Sequence, residues 1–174
     1  MIVSHSELNE FVSRNCVIRK SGAMPAVEPV SIGLHLGDTF LKYKTQTASV
    51  DLPSSLETEV VSLQPDGHVD FPPGACLLAA TEEVIEMPLD LMGFIQTKGT
   101  IARGFVTVHL CDGQIDPGYK GHITLELVNL SHFRYRLKPG TQIAQLFLHK
   151  ISKPVPYGYN GRYQSAKGPT SMRG

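Results

Sequence analysis

The chain has 174 residues and equal numbers of basic and acidic side chains, 16 of each, so its formal net charge is zero. This balance argues against a general role in binding nucleic acid or membrane surfaces, which favour an excess of positive charge. The length and a hydrophobic content of 41% fit one domain with a sizeable core. We therefore expect a single domain over residues 1–174, with no nucleic-acid or membrane partner.

The cysteines and the N-terminus indicate the compartment. Cys16, Cys76 and Cys111 are widely spaced and odd in number, which is typical of free thiols in a reducing environment. We expect all three to be small buried hydrophobic residues. No apolar run is long enough to cross a bilayer, and the N-terminus turns polar too early for a signal peptide. These features predict a cytoplasmic protein.

The first predicted element is a short helix. Ser4 and Glu7 have the spacing of a capping box, and apolar residues at helical spacing follow them. This pattern predicts a helix from about Ser6 to Arg14.

Strands are predicted from residue 30 onward. Alternating apolar residues predict a half-buried strand over 30–36, a turn at Gly37-Asp38 and a second strand over 40–43. Residues 44–59 are polar without a clear period and are predicted to form a loop.

The rest of the chain, as far as about residue 151, repeats short strand-like runs between Pro and Gly turns, including a buried strand over 76–79 and a long last strand over 143–151. This regular spacing favours an all-β barrel or sandwich over alternating βαβ units.

The tail, residues 153–174, is rich in Gly and Pro and carries tyrosines and cations between them. Such a composition argues against a core element. The tail is either a disordered end or a flexible flap that closes over a bound anion.

The strand over 122–128 contains one carboxylate among hydrophobic residues. Alternation places Glu126 on the same face as Thr124 and Val128. A carboxylate there is either exposed, as most strand glutamates are, or held in a pocket. In a pocket, desolvation would raise its pKa toward the range useful for proton transfer.

Two turns complete the chemistry of this region. The run 113–121 is predicted to form a hairpin with Asp116 just before its Pro-Gly turn; the acid serves either the turn itself or a sugar hydroxyl. The run 98–103 offers backbone N–H groups at Gly99 and Thr100 that can surround phosphate oxygens, with a cation at each end.

Together these residues resemble the dCTP deaminase branch of the dUTPase-like superfamily. That branch has the order R-S-S-L-A-R, I-D-P-G-[WY]-x-G and an L-E strand, and the counterparts here are K-G-T-I-A-R at 98–103, I-D-P-G-Y-K-G at 115–121 and L-E at 125–126. The resemblance extends to 29–37, 139–146 and the tail. The tail runs G-R-Y-Q and G-P-T are more similar to those of bifunctional members, which carry dCTP through to dUMP.

The resemblance implies a homotrimer of distorted β-barrels with active sites between subunits, acting in pyrimidine deoxynucleotide biosynthesis. It implies zinc-independent deamination of dCTP, with Mg²⁺ carried on the triphosphate. The sequence likewise lacks the H-x-E and P-C-x-x-C pairing of zinc deaminases.

The resemblance also implies roles for individual residues. Glu126 would take a proton from the water that attacks C4 and pass protons to N3 and the leaving ammonia, and Arg103 would position Glu126 and the water. Asp116 would hold the 3′-hydroxyl. The other implied substrate contacts are Lys98, Gly99, Thr100, Ile101, Ala102, Tyr119, Thr124, Leu125, Gln145, Tyr159, Arg162, Tyr163 and Lys167.

Three departures from the family pattern stand out. The family's serine beside the attacking water falls at Gly99, its tail glutamine falls at Ala166, and its first arginine falls at Lys98. Lysine gives up bidentate phosphate binding. The first two changes leave open a weaker activity, a different phosphate state or a modified cytosine.

Two alternatives to a dCTP deaminase remain. In a dUTP diphosphatase, Asp116 would be the key acid and would help to activate water for attack on phosphorus. A non-enzymatic trimer that binds nucleotide for regulation is the other. The pairing of Glu126 with Arg103 favours deamination, since dUTPases generally lack that pair.

Overall fold

Strands dominate the fold of residues 1–46 and 48–173, which are the residues described by this computed structural model. Helix α1 spans His5–Ser13 and helix α2 spans Gly99–Ala102. The strands are β1 (Val17–Arg19), β2 (Ala26–Val27), β3 (Ile32–Tyr43), β4 (Thr58–Val60), β5 (Val69–Phe71), β6 (Cys76–Glu86), β7 (Leu91–Thr97), β8 (Val106–Thr107), β9 (Gln114–Ile115), β10 (Lys120–Asn129), β11 (Tyr135–Leu137) and β12 (Gln142–Lys150).

One antiparallel sheet organises most of these strands. Its order is β8-β10-β6-β3-β12-β7-β9, with β1 added beside β6 and with β2 and β4 added beside β3. Strands β5 and β11 form a separate pair. The large sheet curls into a distorted half-barrel, so the predicted all-β fold with a short N-terminal helix is confirmed.

The core lies inside this curl. Side chains such as Leu34, Leu125 and Leu146 are buried, with at most 1% exposed, and helix α1 adds Leu8 and Phe11. Burying a leucine side chain contributes about 1.5–3 kcal/mol, so alternation along the long strands supplies much of the stability. The last strand, β12, lies within one residue of its predicted position.

Helix α1 begins at His5, one residue earlier than predicted, and only half of the predicted capping box forms. Ser4 is the N-cap residue, yet its side chain makes no capping hydrogen bond. The Glu7 carboxylate accepts a hydrogen bond from the Ser4 backbone and also forms an ion pair with Lys150 at the end of β12. The helix therefore owes its position to the buried apolar face.

Strand β3 differs from its prediction in two ways. It continues through Gly37-Asp38 with a register shift against β6 between Leu36 and Phe40. A Cβ on Gly37 would lie 2.8 Å from the Ala80 carbonyl oxygen, so glycine permits a close approach to β6 instead of a turn. The first half of β3 is also buried on both faces rather than half-buried.

The predicted hairpin over 113–121 is wrong. Strand β9 pairs with β7, whereas β10 pairs with β6 and β8. The chain turns between them, with the Tyr119 N–H donating to the Asp116 carbonyl at 3.2 Å. At the corner, Gly118 has a φ of +79°, and a Cβ there would lie 2.5 Å from the Gly158 Cα. The turn therefore joins two parts of the sheet and packs closely against the tail.

The cysteine prediction is correct for one residue. Cys16 is buried, but Cys76 and Cys111 are exposed, and all three are free thiols. Cys76 begins β6 and Cys111 lies in the loop before β9. Polarity alone does not separate a strand end or loop from a strand centre, which explains the error.

Two predicted segments reach beyond the described residues. Thr47, inside the predicted loop over 44–59, and Gly174, the last residue of the predicted flap and domain, both lie outside them. The loop prediction is wrong at its end, where β4 begins at Thr58 and pairs with β3. No helix among the described residues is long and apolar enough to span a membrane.

Candidate functional site

A cavity of about 580 Å³ opens over one face of β10. Strands β3 and β6, the loop before β9 and the tail supply its other walls. Its polar and aromatic lining residues include Lys42, Tyr43, Asp112, Gln114, Asp116, Tyr119, Thr124, Glu126, Tyr159, Tyr163 and Thr170. The alternation of β10 positions the site, because Leu125 and Leu127 enter the core while Thr124 and Glu126 face the cavity.

Glu126 is half-buried in this cavity. The Leu110 backbone N–H donates a hydrogen bond to its Oε2 at 3.2 Å. Burial raises the pKa of the Glu126 carboxyl, the Leu110 hydrogen bond lowers it, and the negative charge of Asp112 raises it further. A carboxyl with a raised pKa can both accept and return a proton near neutral pH.

The turn before β10 brings an acid and an aromatic ring to the same cavity. The Gln114 amide donates to Asp116 Oδ1 at 3.4 Å. The Tyr119 hydroxyl donates to the His122 carbonyl at 2.5 Å, and burial raises the pKa of Tyr119 to about 12. The Tyr119 and Tyr159 rings lie 5.7 Å apart at 59°. This side of the site combines a hydroxyl acceptor with an aromatic wall suited to a sugar and base.

The tail packs along the first half of β10. The Ser165 N–H donates to the Lys120 carbonyl at 2.7 Å, and the His122 N–H donates to the Ala166 carbonyl at 2.9 Å. Farther along, the Thr170 N–H donates to Thr124 Oγ1 at 3.0 Å. The tail therefore contacts the barrel and covers part of the cavity, while its flexibility stays a prediction.

The charged turn over 98–103 does not line this cavity. Within the described residues, the Arg103 side chain makes no hydrogen bond or ion pair with Glu126, and its Nη1 lies 3.2 Å from the position of a Cβ on Gly99. The Lys98 ammonium donates to Gln142 Oε1 at 2.5 Å. Within one chain, therefore, the predicted acid Glu126 and the predicted cation Arg103 do not share a site.

Other predicted residues also lie away from the cavity. Gln145 donates to Glu28 and Ser31, and Leu125 is buried in the core, so only its backbone could contact a base. The Arg162 guanidinium donates to the Arg173 carbonyl at 2.6 Å. Lys167 lines a second cavity beside β3 and β6. The predicted residues that one chain brings together at the cavity are Asp116, Tyr119, Thr124, Glu126, Tyr159 and Tyr163.

Sequence reasoning missed several lining residues. Asp112 and Gln114 lie between the recognised motifs, and their polarity next to a strand end was a usable signal. Lys42 and Tyr43 come from the far end of β3. No local pattern identifies them, because only the pairing of β3 with β6 carries them to the cavity.

One group of possible metal ligands occurs among the described residues, and it lies outside this cavity. The ligand atoms of His35, Glu82 and Glu83 lie within 4.8 Å of one another. Arg19 Nη2 contacts Glu82 at 2.6 Å, and His35 Nδ1 contacts Glu83 at 2.7 Å. Arg19 already contacts both acids, at 2.6 Å for Glu82 and 3.5 Å for Glu83, so the cluster fits a network of ion pairs and hydrogen bonds better than an ion site.

Comparisons with known proteins agree with one another. A family model described as dCTP deaminase-like matches residues 2–151. A Streptomyces avermitilis protein named "dCTP deaminase, dUMP-forming" is 37% identical over an alignment of 155 positions, which covers 84% of this chain and 81% of the relative. A Kocuria rhizophila protein of the same name is 30% identical over an alignment of 181 positions including gaps, which covers 99% of this chain and 94% of the relative.

A solved structure agrees in fold. The 2′-deoxycytidine 5′-triphosphate deaminase of Agrobacterium tumefaciens superposes with a TM-score of 0.65 at 17% sequence identity, over 86% of this chain. The present chain spans about half the length of that deaminase, since the match covers 48% of it. At this identity, the likeness describes the shared fold alone.

Proposed function

This chain belongs to the dCTP deaminase-like family, and on that premise we propose that it deaminates dCTP to dUTP and ammonia and continues to dUMP and diphosphate. The names of the Streptomyces and Kocuria relatives support the second step. The single observation that carries the proposal is the half-buried Glu126, with its raised pKa, in a cavity large enough for a nucleoside.

Glu126 would carry the protons of the deamination. As a carboxylate it takes one proton from water while the water oxygen bonds to C4 of the base. It passes a proton to N3, and a second transfer lets the C4–N4 bond break with ammonia as the leaving group. The deamination consumes one water per dCTP, and the cleavage of dUTP to dUMP and diphosphate consumes a second. A carboxyl of raised pKa suits both directions of transfer.

The remaining cavity residues would bind the nucleoside. Asp116 would accept from the 3′-hydroxyl, and the Tyr119 and Tyr159 rings would contact the sugar and base. The backbone around Thr124 and Leu125 would read the base edge, with Tyr163 above it. Because Thr170 now bonds to Thr124, the end of the tail would shift when a base enters.

The phosphate groups would be bound from a neighbouring subunit. The turn over 98–103 does not share a cavity with Glu126 in one chain, which supports a homotrimer whose sites each combine two subunits. There Lys98, Gly99 and Thr100 would hold phosphates, with Ile101 and Ala102 in the same turn, and Arg103 would approach Glu126. Gln145, Arg162 and Lys167 are further proposed phosphate contacts.

Magnesium would arrive with the substrate and shield its phosphate charge. Among the described residues that line the cavity, no three His, Cys, Asp or Glu ligands are close enough to share an ion. Phosphate oxygens and water fit Mg²⁺ well, so we propose a nucleotide-borne ion and a reaction independent of zinc. The exposed free thiols of Cys76 and Cys111 suit a reducing cytoplasm.

A dUTP diphosphatase is the second candidate, and the position of Asp116 in the cavity favours it. Asp116 would then help to activate a water for attack on phosphorus. The two functions differ in product: a diphosphatase cleaves dUTP but leaves the amino group of dCTP intact.

Product analysis tests the proposal. The protein is incubated with dCTP and Mg²⁺, and nucleotides are separated while ammonia is measured. We expect one ammonia for each dUMP, and Glu126→Gln should lower the rate by about a hundredfold or more while the variant still binds dCTP. Cleavage of dUTP without ammonia release would support the diphosphatase. Binding without any product would support a regulatory trimer.

A further inference from the structure

Glu28 is a half-buried carboxylate in the turn between β2 and β3 that collects neutral donors. Its Oε1 accepts from the Gln142 amide at 3.0 Å. Its Oε2 accepts from the Ser31 hydroxyl at 3.2 Å and from the Gln145 amide. The Gln142 hydrogen bond is the main cause of the lowered pKa of Glu28, so the group is a carboxylate at neutral pH.

Gln142 links this carboxylate to Lys98. A carboxylate only accepts hydrogen bonds and an ammonium only donates them. The amide of Gln142 must therefore present its NH₂ group to Glu28 and its oxygen to Lys98, and Nζ donates to that oxygen at 2.5 Å. Reversing the amide would place its NH₂ group against the Lys98 ammonium and its oxygen against the Glu28 carboxylate. Glu28 thus sets the direction in which Gln142 can hold Lys98.

Gly33 provides the space for this link. A Cβ on Gly33 would overlap the Gln142 amide nitrogen. The φ of Gly33 is not in the left-handed region, so the backbone itself would accept alanine. The glycine is therefore explained by the Gln142 side chain and not by chain conformation. The amide can be displaced because it is the far end of a flexible side chain, although the added methyl would also lie 3.1 Å from the Ala26 Cβ in β2 and would require a small shift there.

We propose that Glu28 is a positioning residue for triphosphate binding, acting through Gln142 on Lys98 and directly on Gln145. This inference rests on the proposed function, which places Lys98 and Gln145 at the phosphates. A free lysine side chain loses conformational entropy when it binds a phosphate. The hydrogen bond to Gln142 orders Lys98 beforehand and leaves its other two N–H donors for the ligand.

A purely structural role for Glu28 predicts a different result. The Glu28 N–H also donates to the Ser31 carbonyl at 2.8 Å, so the residue helps to shape the β2–β3 turn. Loss of that turn would lower stability and weaken every ligand alike. Loss of positioning would weaken only ligands that carry phosphates.

The experiment compares dCTP with deoxycytidine in the Glu126→Gln background, in which turnover does not interfere. Dissociation constants are measured by titration calorimetry with Mg²⁺ present. Glu28→Gln and Gly33→Ala should each raise the constant for dCTP about tenfold, the value of one hydrogen bond to a charged group. The constant for deoxycytidine should stay within about twofold. Glu10→Ala, on the exposed side of α1, is the control and should change neither.

The outcomes separate the two proposals. Unchanged dCTP binding in both variants, or equal losses for dCTP and deoxycytidine, would overturn the role of Glu28. The proposed function is judged by the wild-type product assay, which does not involve Glu28. If the Glu126→Gln protein binds no dCTP at all while thermal unfolding shows it folded, the nucleotide assignment fails and this inference fails with it.

Discussion

At the scale of residues, the proton affinity of Glu126 results from opposing influences. Burial and the Asp112 charge raise its pKa, whereas the Leu110 N–H and His109 lower it. The other charged groups that line the cavity are Asp116 and Lys42, and Lys42 is paired with Glu59 at 3.0 Å. Of these charges, that of Asp112 acts on Glu126 and can be removed by a single substitution to asparagine.

Asp112→Asn should therefore shift the pH dependence of kcat/KM. Removing the negative charge stabilises the Glu126 carboxylate, so its pKa falls. Because the carboxylate is the form that accepts a proton from water, the acidic limb should move to lower pH. The measurement is a pH–rate profile with dCTP. Asp112→Glu should retain the wild-type limb, and an unchanged limb in Asp112→Asn would show that this charge does not act on Glu126.

The inward and outward residues of β10 were predictable, because period-two alternation separates Leu125 from Glu126. The neighbours of Glu126 were not. Leu110 reaches its carboxylate only because the chain after β8 runs alongside β10, which no local pattern encodes. Asp112 can be recognised in the sequence as an acid, but nothing in the sequence shows that it lies near Glu126.

At the scale of elements, the tail and β10 form one unit. The tail contributes backbone hydrogen bonds at Ser165 and Ala166 and a side-chain contact at Thr170. These contacts lie at the edge of the cavity, and few of them bury apolar side chains. We therefore expect the tail to affect ligand binding more than the stability of the barrel.

Truncation before Gly161 should raise the KM for dCTP by about tenfold or more, because a cover and its cations are lost. The melting temperature of the barrel should change by only a few degrees, since the core lies elsewhere. Steady-state kinetics and thermal unfolding measure the two effects. An unchanged KM would show that the tail does not contribute to binding of dCTP.

The positions of the strands were predicted better than the pairing between them. The last strand, β12, was predicted within one residue from composition and turn residues. The hairpin prediction failed because β9 and β10 are adjacent in sequence but pair with distant strands, β7 and β6. Likewise β3 was divided at Gly37, since a glycine required by a neighbouring strand looks the same as one in a turn.

At the scale of the whole molecule, the separation of Arg103 from Glu126 is the main constraint. The family resemblance read from the motifs is confirmed by the match over residues 2–151. The trimer that we propose would supply the missing cation from a second subunit. A sequence motif can thus be continuous along the chain while its two halves serve different sites.

Subunit mixing tests this arrangement. Arg103→Ala and Glu126→Gln proteins should each be nearly inactive alone. Each mixed trimer has one site in three that pairs an intact acid with an intact arginine from the next subunit, so trimers that contain both variants should regain about a third of wild-type activity. Co-expression with different tags and assay of the doubly purified protein measures this. If mixed trimers form but show no activity, Glu126 does not work with Arg103 of the next subunit.

The contact between Gly118 and Gly158 links these scales. Neither position has room for a methyl group, since each would strike the other's backbone. A substitution at one would lift the C-terminal cover away from the corner that carries Asp116. Because the two glycines are in direct contact, a change at one alters the fit of the tail against the turn that carries Asp116, and a redesign of one position has to include the other.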